Sequence, residues 1–188
     1  MPTPLSRTLI LDTARAILDA DGETALSMRA IAARLDVKAA SLYNHIASRH
    51  ELLQESVDAI AGEVMATLDP TDDWRTILTT LADRLRETLR AHPGSTKVVA
   101  TVNISPALAQ RMADDFGPPL ARELRTTVEH ALLTVQSLYV LVVGLALAEF
   151  GDVPNAPVAS RDFYDTWFGI ATTTFLDGIA AQLATGGE

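Results

Sequence analysis

The 188-residue chain contains no cysteine, which excludes disulfide scaffolds, thiolate metal sites and thiol nucleophiles and fits a reducing compartment. It also lacks histidines at a metal-pair spacing such as H-E-x-x-H; His45, His50, His92 and His130 stand singly. No glycine-rich phosphate loop follows a strand, and no run alternates with period two between turn residues. No metal or cofactor is therefore expected, and no catalytic function. Internal repeats and low-complexity tracts are missing as well. Met1 to Ser6 lack the charged start and apolar run of a signal peptide, so a cytoplasmic location is expected.

Positive charge is scarce: 15 Lys and Arg face 24 Asp and Glu, a net charge of −9. Taken alone this argues against a polyanionic partner, but the distribution matters more. Residues 1–50 hold six basic groups (Arg7, Arg15, Arg29, Arg34, Lys38, Arg49) against five acidic ones. The rest of the chain is strongly acidic. Such a molecule can offer one end, and only one, to nucleic acid.

What the sequence has is helical periodicity and apolar residues, which make up 48% of it. Ile10, Ala14, Ile17 and Leu18 mark a first helix that Asp21-Gly22 ends. Ser27 reads as the N-cap of a short second helix with Met28, Ile31, Ala32 and Leu35 on one side. A third short helix spans 38–44. A fourth starts at Ser48, with Glu51 as capping-box partner and Leu53, Val57, Ile60 and Val64 in a stripe. A fifth runs from Asp73 through Leu78, Leu81, Leu85 and Leu89 to the break His92-Pro93-Gly94. Shorter pieces are expected over 95–116, a second break at Gly117-Pro118-Pro119, then helices near 119–127, 129–149 and 161–184. The loop 151–160 holds Pro154 and Pro157. The fold class is all-α. Ala131 to Ala148 carries no charge, yet Thr134, Gln136, Ser137 and Tyr139 lie within it, so a buried core or dimer helix is expected and no membrane span.

The pair of short helices from Ser27 to Asn44 has the size of a helix-turn-helix, whose second helix enters the major groove. Ala32 is small where the helices must cross, and Asp36 stands where the turn asks for positive φ. Leu35, Val37 and Leu42 point inward. Lys38 and Arg49 can meet phosphates, and Ser41, Tyr43 and His45 can donate hydrogen bonds to them. Arg29 can reach guanine O6 and N7, and Ala39 and Ala40 can sit against thymine methyls. A structural helical corner with solvated charges would show the same spacing.

The runs Ser27-Met28-Arg29-Ala30-Ile31-Ala32, Leu35-Asp36-Val37, Ala40-Ser41-Leu42-Tyr43-Asn44-His45-Ile46 and Ser48-Arg49-His50-Glu51-Leu52-Leu53 together resemble the signature of the TetR (tetracycline-repressor) family of transcriptional regulators. The resemblance implies a homodimer that reads a palindromic double-stranded operator. It places Ser27, Arg29, Lys38, Ala39, Ala40, Ser41, Tyr43, Asn44, His45 and Arg49 toward DNA. It also divides the chain into a DNA-binding domain, 1–47, and a ligand-binding and dimerisation domain, 48–188. Asp36 departs from the glycine common at the turn. A protein that keeps this fold as a dimeric binding module with little or no DNA affinity is the alternative.

Trp74, the run through Leu89, His92, Gly94, Lys97-Val98 and the apolar helix around Gly144 resemble the tetracycline-repressor type of C-terminal domain. Three pocket positions that are polar in tetracycline-binding members fall on Met65, Leu81 and Val99, the last in place of a metal-binding histidine. Valine cannot ligate, so no metal-chelated drug is expected. A small, largely apolar effector is expected instead, lined by Leu81, Leu85, Val99, Leu132 and Val135, with Gln136 or Thr134 as polar contact. The same leucines could equally be solid core. Helices 129–149 and 161–184 are the expected dimer bundle, and the fourth helix is the lever between ligand and head.

Overall fold

The computed structural model describes residues 4–151 and 159–185, so the expected proline loop lies largely outside the described residues. Every regular element among them is helical: α1 (Arg7–Asp21), α2 (Met28–Arg34), α3 (Ala39–Leu42), α4 (Arg49–Met65), α5 (Trp74–Ala91), α6 (Thr96–Thr101), α7 (Pro106–Glu123), α8 (Val128–Phe150) and α9 (Arg161–Thr185), with single 3-10 turns at Glu23–Ala25 and Pro93–Ser95.

Short hydroxyl side chains start most of these helices. Ser6, Ser27, Ser48, Ser105 and Thr127 each accept the backbone N–H three residues on, and Asp73 accepts those of Arg75 and Thr76. Each such cap stabilises its helix by about 1 kcal/mol. The expected capping box at α4 is present with a shift: the Glu51 carboxylate takes the N–H of Ala47, 2.7 Å away, one residue before the cap.

Helix ends are closed as carefully. Asp36 adopts φ 52°, with Asp36 N–H donating to Ala33 and Val37 N–H to Ala32. That pair of bonds is a Schellman motif and explains the positive φ. Arg125 (φ 50°) repeats it at the end of α7, through Ala121 and Arg122. Because a Cβ is disfavoured in this conformation, Asp36→Gly should stabilise the protein by about 1 kcal/mol and raise Tm by about 2–4 °C. A thermal melt with Tm unchanged or lowered would show that Asp36 is relaxed.

The break expected at Gly117-Pro118-Pro119 does not occur. α7 runs straight through both prolines. They withdraw two N–H donors, but the carbonyls they would have met, on Asp114 and Asp115, belong to residues that water reaches. Packing supplies the rest: Phe116, Leu120, Ala121 and Leu124 form a second core cluster with Ile77 and Ala131. Gly117 lets α7 approach α8, since a Cβ there would lie 2.9 Å from Val128.

One continuous core joins the N-terminal helices to the body. Ile10, Ile17, Leu18, Ile31, Leu42 and Ile46 share it with Leu52, Ile60, Leu78, Leu89, Leu138 and Val142. The join is tightest where the turn Pro93–Ser95 meets the end of α1. A Cβ on Gly94 would fall 1.9 Å from the Leu18 carbonyl oxygen, and beside it His92 Nδ1 lies 2.9 Å from Asp19 Oδ2. Gly94→Ala must therefore push the turn away from the α1 backbone; we expect a loss of about 1–3 kcal/mol, read as a lowered Tm. A wild-type Tm would mean that the contact yields easily.

α8 lies at the centre of the body, packed against α5, α6, α7 and α9. It is long and apolar enough to cross a membrane by composition, with mean hydropathy 2.1, yet only a third of its most apolar stretch is buried within the chain. Across α5, α8 and α9 the buried Arg86 and its neighbour Arg90 bind the carboxylates of Glu149 and Asp165 at 2.7–3.0 Å.

Candidate functional site

The head presents α2 and α3 around Asp36, with Leu42 buried and Leu35 and Val37 packed against the core as expected. α3 proper is a single turn, preceded by Lys38 and continued as a turn through Tyr43 and Asn44. Arg29, Lys38, Ala40, Tyr43, Asn44 and Arg49 are exposed; Ser27, Ala39, Ser41 and His45 are half-buried. Tyr43 stands out as a large ring that is 54% exposed.

The ion pairs sort the basic residues of the head. Arg7 bridges Glu51 and Glu55 of α4 and donates to the His45 carbonyl at 2.6 Å. Arg15 pairs with Glu63 and Arg34 with Asp21. Arg49, expected to meet phosphate, donates instead to the carbonyls of Leu26 and Glu23 and to the Glu23 carboxylate. It thus ties the start of α4 to the turn before α2. Among the described residues, Arg29 and Lys38 have no acidic partner. Both lie on the helix-turn-helix, so the uncompensated positive charge of the head is concentrated there. The hydroxyl of Ser27 accepts from Ala30 N–H at 3.1 Å as the α2 cap and keeps its own proton free to donate.

Below the head the body holds a partly open apolar cavity of two adjoining lobes. Leu81, Leu85, Val99, Val135 and Gln136 come together in one lobe of about 140 Å³. Leu132 lies in the other, of about 220 Å³, which Leu81, Val135 and Gln136 also border. Thr134 faces elsewhere: its hydroxyl donates to the His130 carbonyl, and it lines a surface groove between α8 and α9. Met65, placed at the pocket by the resemblance, lines the first lobe, but the sequence reading missed that Val57, Ile60, Ala61 and Val64 of α4 line it as well. Their helical stripe was legible; that it faces space rather than solid packing was not. Also missed was Tyr139, whose hydroxyl donates to the Val99 carbonyl at 2.8 Å and whose burial pushes its pKa up. Finally, Asp58 of α4 accepts the Ser105 N–H at 2.7 Å, tying the loop that carries Asn103 and Ile104 to α4.

A third feature lies on the outside. Leu133 and Val140 of α8 and Phe163, Trp167 and Ile170 of α9 are large apolar side chains 41–63% exposed. Of the aromatic and apolar residues that crowd α9, Phe168 is buried, while Phe163, Trp167 and Ile170 are not. Among the described residues no group of acidic and histidine side chains could hold a metal ion.

A helix-turn-helix head with localised free charge, fused through one core to a hollow helical body, defines the class: a helix-turn-helix protein built as head and chamber. Residues 10–56 match the family described as bacterial regulatory proteins, tetR family, and residues 66–167 match the tetracyclin repressor-like C-terminal domain. The chain belongs to the TetR family. It is 34% identical over 97 residues to an HTH-type transcriptional regulator of Saccharopolyspora erythraea; the match spans 52% of this chain and 41% of that relative. Among solved structures it resembles a TetR variant of Acinetobacter baumannii in complex with minocycline (TM-score 0.82, 21% identity, 96% of this chain and 99% of that one). It also resembles a BioQ protein with its double-stranded DNA operator (TM-score 0.71, 24% identity, 95% and 99%). At these identities both likenesses are of fold.

Proposed function

We propose that the protein is a cytoplasmic transcriptional repressor that grips palindromic operator DNA as a homodimer and lets go when a small, largely apolar molecule fills the body cavity. The observation that carries the DNA reading is the placement of the two head cations that have no acidic partner among the described residues. Four of the six basic side chains in the head are neutralised internally, while Arg29 and Lys38 are left free on the two helices that a helix-turn-helix offers to the groove. Around them Ser27, Ser41, Tyr43, Asn44 and His45 supply hydrogen-bonding groups, and Ala39 and Ala40 supply apolar contact. Arg49 acts mainly by holding α4 and the head together. The solved BioQ complex, of the same fold, holds an operator.

The dimer reading rests on the exposed apolar faces of α8 and α9, which suit a four-helix bundle between two copies. The ligand reading rests on a cavity whose wall is largely α4. A molecule that prefers one position of α4 shifts the head and weakens DNA binding by the factor by which DNA weakens its own binding. The division of labour follows: 1–47 reads DNA, and 48–188 binds ligand and dimerises.

The test is fluorescence anisotropy on duplex from the gene's own upstream region, with light scattering on the same sample. A dimer that binds this duplex more tightly than a scrambled one supports the proposal. A monomer, or a dimer indifferent to both duplexes, would favour a fold-retaining binding module, a reading to which the net charge of −9 lends some weight.

A further inference from the structure

The cavity is more specific than its apolar character alone suggests. Six residues, Met65, Leu81, Ile104, Met112, Val135 and Gln136, border both lobes. These six residues form the boundary that the two spaces share. Two of the six are methionines, whose unbranched thioether chains reshape easily, so the partition between the lobes is the most adaptable stretch of the wall. Neither lobe alone reaches the roughly 300 Å³ at which small-molecule sites usually begin, whereas the two joined do.

Hydrogen-bonding side chains belong to the first lobe and the partition, Gln136 bordering both spaces. The first lobe is bordered by the amides of Asn103 and Gln136, both on exposed residues, and by Tyr139. The Tyr139 proton is already given to the Val99 carbonyl. Beyond the partition, Leu68, Ile77, Ala113, Phe116, Leu120 and Leu132 offer no polar side-chain atom. No charged side chain lines either lobe. An ionised group buried inside either lobe would have to give up its hydration with no counter-ion to replace it.

From this we infer that the effector is an uncharged, elongated amphiphile. Its single hydrogen-bonding end meets Asn103 and Gln136, and its apolar body pushes between Met65 and Met112 into the far lobe. The inference rests on the cavity being the effector site of the proposed regulator, and it narrows the ligand class. Carboxylates, phosphates and amines are disfavoured because no residue lining either lobe offers a counter-ion, and short apolar molecules bind weakly because they fill one lobe only. A ligand seated this way presses on Met65 and on Ile104, whose loop is pinned to α4 through Asp58 and Ser105.

Straight-chain probes test it on the full protein. Thermal unfolding is followed with 1-hexanol, 1-octanol and 1-decanol, and with decanoate and decylamine at pH 7. The alcohols are expected to raise Tm in a saturable way, with affinity rising about three- to fourfold per added CH2. The two ionised probes should bind at least tenfold more weakly than 1-decanol. Ala113→Leu fills the far lobe without removing any core side chain; it should erase the advantage of 1-decanol over 1-hexanol while leaving the ligand-free Tm near that of the wild type. Equal binding of decanoate or decylamine, a flat chain-length series, an unaltered 1-decanol affinity in Ala113→Leu, or no binding by any alcohol each overturns the inference. Operator binding measured on the same preparations keeps the two readings apart. Alcohol binding without DNA binding would sink the regulator, and DNA binding without alcohol binding would sink only the ligand class.

Discussion

Arg29→Ala is expected to weaken operator binding at least tenfold and to relax discrimination between sequences, with the melting temperature of the protein unchanged. The side chain is exposed on the first turn of α2 and has no partner among the described residues, so its loss leaves no group unsatisfied in the free protein. A bidentate contact to guanine contributes about 1–3 kcal/mol of discrimination, and a dimer loses two. Lys38→Ala should act differently. As a phosphate contact it weakens binding evenly across sequences and flattens the salt dependence. The internal pairing of Arg7, Arg15, Arg34 and Arg49 sets the scale of that dependence. With Lys38 the free phosphate-facing cation of each head among the described residues, the plot of log K against log salt should fall with a slope of about −2 for the dimer, since each neutralised phosphate contributes about −0.9. A slope of roughly −8 or steeper would mean that the internal ion pairs open on DNA. Full discrimination retained in Arg29→Ala would remove that residue from base reading.

The largest effect on stability is expected from Arg86→Ala. Arg86 is 8% exposed, and its guanidinium binds Glu149 at 2.8 Å and Asp165 at 2.7 Å while lying 4.5 Å from the ring centroid of Phe168. Removing it leaves the buried Glu149 carboxylate with Arg90 alone and opens a gap against Phe168. Deleting one partner of a buried ionic cluster destabilises by about 3–5 kcal/mol. Unlike the Arg29 variant, this one should bind DNA normally at low temperature and melt far earlier. Arg86→Met, which keeps the packing, should recover some of the loss. Acid acts on the same cluster. Burial favours the neutral form of Asp165, but the hydrogen bonds from Arg90 and Arg86 outweigh it and hold the carboxyl below its ordinary value. A depressed folded-state pKa contributes stability above the ordinary carboxylate range, and this is lost as the pH falls through the folded value. The slope of Tm against pH on acidification should therefore be shallower in Asp165→Asn. An Arg86→Ala protein with wild-type Tm would show that the cluster contributes nothing net.

Much of the fold was legible because local rules decided it. Ser27, Ser48 and Asp73 announced helices that the structure caps with those side chains, and the strained turn at Asp36 followed from the size of the helix-turn-helix. Failure came where tertiary packing overrode a local rule. Pro118 and Pro119 would end an exposed helix, but α7 continues because its apolar face is clamped against Ile77 and Ala131. The cluster of Arg86, Arg90, Glu149 and Asp165 joins residues up to 79 positions apart, and no periodicity reveals such a meeting. The cavity was half legible. Apolar stripes on α5 and α8 named Leu81, Leu85 and Val135, but whether stripes enclose space or close upon each other depends on helix separation, which the sequence does not print. For that reason the rest of the α4 wall beyond Met65, and the place of Met112 beside it, emerged only from the three-dimensional packing. The sequence reading placed Arg49 toward phosphate, and nothing local showed that the Leu26 and Glu23 carbonyls also lie within its reach.

The measurement that bears most directly on the central claim is selection of binding sites from a random-sequence duplex pool, run side by side with wild-type protein and Arg29→Ala. The account predicts that the wild type enriches an inverted repeat with half-site centres about one helical turn apart, and that the variant enriches a degenerate form of it. A pool that stays random after repeated rounds with folded, dimeric wild-type protein would contradict the assignment of this head to DNA.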